Sequence, residues 1–170
     1  MRLRTRAILI FTAAIGVGLA THERHPVIAD TRQTDLYHRI KAHPETTFIL
    51  FHGGFPWVGE TGIIAMRYPR NVRIDFNWLP ILSYSTAKRA LHEWLEVMPS
   101  NHLMWGGDSA SAEGIYGATR VTRDCIAEVL SEKVAAGQLL EEHALRIGQQ
   151  ILRDNALETF PILHRRLSAK

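Results

Sequence analysis

Three apolar runs each end in a residue that could do chemistry. Phe48-Ile49-Leu50-Phe51 leads into His52-Gly53-Gly54. Asn71-Val72-Arg73-Ile74 leads into Asp75-Phe76-Asn77-Trp78. Leu103-Met104-Trp105-Gly106-Gly107 leads into Asp108-Ser109. Imidazole and carboxylate are common ligands of zinc and similar divalent metals. A carboxylate beside a metal can also take a proton from bound water, whose pKa the metal lowers. Each residue also has a structural reading. His52 could bond a loop carbonyl, Asp108 could cap the next helix, and Asp75 could be a hydrogen-bonded strand residue sharing a face with Asn77.

Positioning these residues requires strands. Thr47–Phe51 carries no charge and reads as a strand buried on both faces. Val72–Phe76 and Leu103–Trp105 read as two more. Helical patterning follows each run: about 60–68, stopping before Pro69, then 83–98, capped by Ser83 or Ser85 and ended by Pro99, then about 114–136 with Gly137 as C-cap. An earlier helix, capped by Asp30 or Thr31, runs to about Lys41. A last one spans about 141–160, with Leu145, Ile151, Leu152 and Phe160 toward the core. Strands alternating with helices imply right-handed crossovers and a parallel sheet, whose C-terminal edge is where such folds build their sites.

The bulk composition excludes other classes. The chain has 170 residues, is 46% hydrophobic and carries a net charge of +3. Arg2, Arg4 and Arg6 supply +3 within the first 20 residues, so the remainder sums to zero. No nucleic-acid footprint is implied. Cys125 is the single cysteine. It lies in a helical pattern, where a buried thiol is expected rather than a nucleophile, and it permits no intrachain disulfide. His22, His25, His38 and His43 crowd the first quarter without a zinc-motif spacing.

Residues 1–20 support two readings. Three arginines before an apolar run ending in Gly18 and Ala20 fit a signal peptide, too short for a stable membrane span. Alternatively, Ile8–Thr12 is a buried parallel strand.

The segment Phe48–Phe160 resembles the C-terminal part of the amidohydrolase-related family, metal-dependent TIM barrels that include uronate-isomerase-like members. The stretches that carry the resemblance are FILFHGGFPW, RYPRNVRIDFNW, STAKRALHEWLEVMP, MWGGDS and ILRDNALETF. It implies an α/β fold, a partial (β/α)8 barrel comprising strands 5 or 6 to 8. Thr47–His52 would be strand 6, Val72–Trp78 strand 7 and Leu103–Asp108 strand 8. By the same resemblance His52 and Asp108 would bind a divalent metal, zinc by family habit. Asp108 would also be the catalytic proton shuttle. Phe55, Trp57, Asn77 and Trp78 would line the mouth of a small-molecule pocket.

The departures from the family are equally specific. No His-x-His pair of strand 1 precedes His52, and the strand-4 ligand is absent. Ile8–Thr12 looks like strand 5, with Phe11 where the family has His. The expected organisation is thus 1–20 as leader or strand 5, 21–163 as half of a barrel, and 164–170 as a basic tail. The expected activity is hydrolysis of an amide, ester or related bond, lost in the isolated chain for want of ligands. A second copy or a missing N-terminal half would complete the barrel. The strand reading places the protein in the cytoplasm; the leader reading makes it an exported, non-catalytic binding module.

Overall fold

A computed structural model describes residues 8–12 and 36–160. Four parallel strands form one sheet: β1 (Ile8–Thr12), β2 (Thr47–Phe51), β3 (Val72–Asp75) and β4 (Leu103–Met104). Their spatial order is their chain order. Ile8 lies opposite Thr47, Phe48 opposite Val72, and Ile74 opposite Leu103. Each strand thus joins the one before it, as consecutive staves of a (β/α) barrel do, whereas a doubly wound sheet would reverse its strand order. The expected α/β class is therefore observed, in a form compatible with part of such a barrel.

Helices fill the crossovers. They are α1 (Tyr37–Ala42), α2 (Val58–Arg67), α3 (Leu79–Leu82), α4 (Tyr84–Val97) and α5 (Ala112–Ala135). The chain then continues through α6 (Glu141–Gln149), a π-turn at Gln150–Asp154 and α7 (Asn155–Thr159). The caps 30 and 31 expected for the first helix lie outside the described residues. Among the described residues no helix is long and apolar enough to cross a membrane.

The core lies between one sheet face and the helices. Phe48, Leu50, Val72, Ile74 and Leu103 pack with Ala87, Leu91 and Trp94 of α4 and with Cys125, Ile126 and Val129 of α5. By strand alternation Ile49, Arg73, Asp75 and Met104 take the opposite face. Ser83 caps α4 as expected, accepting from the Thr86 N–H at 3.3 Å. Cys125 is buried as expected, and its surroundings push the thiol up to about 12, chiefly by burial.

One core expectation is wrong. Leu145 is 70% exposed, while Ala144 and Ile151 are buried. The buried stripe of the last helix follows Ala144, Ile147 and Ile151, spaced by three and four, so Leu145 falls about 100° away from it.

Candidate active site at the strand ends

Trp94 joins the core to the strand ends. Its indole N–H donates to the Val58 carbonyl at 3.0 Å, and its ring fills space that only glycines leave free. A Cβ on Gly53 would lie 2.7 Å from the Trp94 ring and 2.6 Å from Leu79. A Cβ on Gly62 would lie 2.7 Å from the same ring. The loop after β2 can therefore sit directly on the core.

Three residues without glycine's freedom are left-handed here: His52 (φ 57°), Trp78 (φ 57°) and Asp108 (φ 36°). They stand just past the ends of β2, β3 and β4 respectively. Such conformations cost about 1–3 kcal/mol each and persist only where the surroundings over-determine them. Asn77, fully buried, is the principal restraint. Its Oδ1 accepts the His52 backbone N–H at 2.8 Å. Its Nδ2 donates to Asp108 Oδ2 at 3.1 Å. Its own N–H donates to Asp75 Oδ1 at 2.9 Å. Trp78 adds a further tie, its indole N–H donating to the Asp108 carbonyl at 2.6 Å.

The three strand ends thereby converge. His52 Nε2 and Asp108 Oδ2 are 3.6 Å apart. The His52 side chain is 9% exposed and that of Asp108 49%. The Trp78 ring stands 5.8 Å from the imidazole, centroid to centroid. Phe55 is partly buried against the core, and Trp57 is half-buried at the start of α2. Asp108 is not a helix cap, because Ser111 takes that role for α5 and accepts from the Gly114 N–H at 3.0 Å. Asp108 therefore keeps an open carboxylate.

Asp75 is structural, joining the ends of β3 and β4. Besides Asn77, its Oδ1 accepts the Gly106 N–H at 3.0 Å. Burial, helped slightly by the charge of Asp108, raises its pKa from 3.8 to about 6 against the pull of those two N–H donors. Sequence reasoning placed Asn77 at a pocket mouth and missed its bridging role. Its partners, 25 and 31 residues away, leave no local pattern.

Two oxygen or nitrogen ligands of a tetrahedral zinc stand roughly 3.3 Å apart, so the His52–Asp108 spacing fits two positions around one metal. Among the described residues no three His, Cys, Asp or Glu side chains cluster to hold a metal. The donor set is thus suited to a metal but short of the three protein ligands a catalytic zinc normally has.

A family model described as amidohydrolase matches residues 9–162. Protein fluG of Emericella nidulans is 33% identical over 119 residues, which are 69% of this chain and 14% of that protein. No solved structure matches the chain. The family match runs through the four described strands and both candidate ligands: the chain belongs to the amidohydrolase family.

Proposed function

We propose that this chain carries the strand-6 to strand-8 side of a metal-dependent hydrolase site and does not hydrolyse substrate alone. The observation that carries this reading is the 3.6 Å approach of His52 Nε2 to Asp108 Oδ2 across the ends of β2 and β4. His52 and Asp108 would hold a divalent metal, zinc. When bound, the metal would supply an activated water for attack on an amide, ester or related bond. The chain's own residues orient and accept. Asn77 fixes the Asp108 carboxylate through Nδ2, and Asp108 Oδ2 is the proton acceptor. Phe55, Trp57 and Trp78 would border a pocket for a small-molecule substrate. The missing ligands would come from the strands that complete the barrel, supplied by a second copy or an N-terminal half. We place the chain in the cytoplasm; a mature N-terminus near Thr21 in envelope fractions would refute that.

The test combines metal analysis by inductively coupled plasma spectrometry with an amidase and esterase screen, on the unaltered chain and on Asp108→Asn. Substoichiometric metal, lower still in the variant, and no turnover are expected. Stoichiometric metal with an activity that Asp108→Asn abolishes would overturn the proposal of an inactive half site.

A further inference from the structure

The outer edge of β4 is where a barrel would add its next strand, and the chain's own C-terminal helix occupies it. The Phe76 N–H donates to the Met104 carbonyl at 2.8 Å, so Met104 turns its main-chain groups toward β3. In a parallel ladder the alternate residues turn theirs the other way. The Leu103 carbonyl and the Trp105 N–H are thus the pair that a further strand would bond.

Both already have partners. Asn155 Nδ2 donates to the Leu103 carbonyl at 2.6 Å and to the Ser100 carbonyl at 2.8 Å. The Trp105 N–H donates to the Ile151 carbonyl at 3.0 Å. That carbonyl is available because of the π-turn. In a regular helix it would accept from the Asn155 N–H, but here the Asn155 N–H reaches back to Gln150. Ser100 Oγ also donates to Gln150 Oε1 at 2.7 Å. Asn155 and Ile151 are both buried. A carbonyl can accept twice, but the Trp105 N–H has one proton, so its bond to Ile151 and a bond to an added strand exclude each other.

We propose that Gln150–Thr159 is a latch over a strand-accepting edge, and that β1 of a second copy adds in parallel at β4 only when this latch is released. β1 is the candidate occupant because, among the described residues, it is the other edge of the same sheet and already pairs in parallel with β2. Joining it to β4 repeats head to tail the pairing found within the chain, and unpaired strand edges are prone to such addition. The latch holds whether or not His52 and Asp108 bind metal.

Hydrogen exchange on the unaltered chain tests the latch directly. The Trp105 amide should be protected at least about 100-fold over a free amide and should open together with amides 151–159. Exchange at the rate of an exposed loop would overturn the latch. Light scattering on Asn155→Ala, and on the milder Ser100→Ala in case the first fails to fold, tests the edge. Both should raise the mass-average mass with concentration relative to the unaltered chain, with new protection at 103–105 and 8–12. Unchanged mass in folded variants whose Trp105 amide has lost protection would overturn strand addition. Association without protection at 8–12 would overturn β1 as the occupant.

Discussion

Replacing His102 by Gln and Asp75 by Asn, one at a time, should tilt the pH dependence of stability in opposite directions. His102 stands just before β4, buried, with Nδ1 unpartnered. Burial and then the nearby Arg73 charge lower its pKa from 6.5 to about 4. As pH falls below 6.5 the unfolded chain takes up this proton first. The stability His102 provides above 6.5 is therefore lost as pH falls through about 4, a loss of about 3 kcal/mol. Asp75 behaves oppositely. Its pKa is raised from 3.8 to about 6, so the folded chain takes up the proton first. Its contribution is greatest below 3.8 and is lost as pH rises through about 6, again about 3 kcal/mol. In the unaltered chain the two nearly cancel between pH 4 and 6.5. Urea midpoints at pH 7 and pH 4 reveal them, read as differences from the unaltered chain so that surface carboxylates drop out. On acidification His102→Gln should gain on the unaltered chain and Asp75→Asn should fall behind. Two variants whose stability runs parallel to the unaltered chain across this range would refute the burial reasoning for both groups.

Two further outcomes test the packing beneath the site. Gly53→Ala should cost about 2–5 kcal/mol, from its positive φ and from overpacking against Trp94 and Leu79. Gly137→Ala, also left-handed but facing open space, should cost about 1–2 kcal/mol; equal losses in chemical denaturation would refute the contact argument. Cys125 should resist a thiol reagent such as dithionitrobenzoate in the native chain and react within minutes in denaturant. Rapid native labelling would show that the α4–α5 core opens.

Local chemistry made much of the architecture legible. The uncharged, β-branched and aromatic run at Thr47–Phe51 has no other stable home than a strand buried on both faces. Ser83 before an amphipathic run, and Pro99 after it, bound α4 nearly to the residue. What stayed hidden was either degenerate or non-local. Asp108, Ser109 and Ser111 are all good caps, and only the start of α5 at Ala112 selects Ser111. Nothing in the letters His52 and Trp78 signals a left-handed backbone, because long-range bonds from Asn77 and Asp108 impose it. Leu145 falls outside the core because helical periodicity is phase-sensitive, and a shift of one residue turns a core position into a solvent position.

The π-turn at Gln150–Asp154 carries a consequence for how this chain can vary in length. Each residue of a regular helix advances the face by about 100°. Deleting one residue inside the turn would restore ordinary helical bonding, return the Ile151 carbonyl to its own helix and swing Asn155 away from Leu103. A deletion of one residue there would therefore be more damaging than several residues added at the solvent-facing turn around Gly137, where an insertion between two helices leaves the phase of α6 and α7 unchanged.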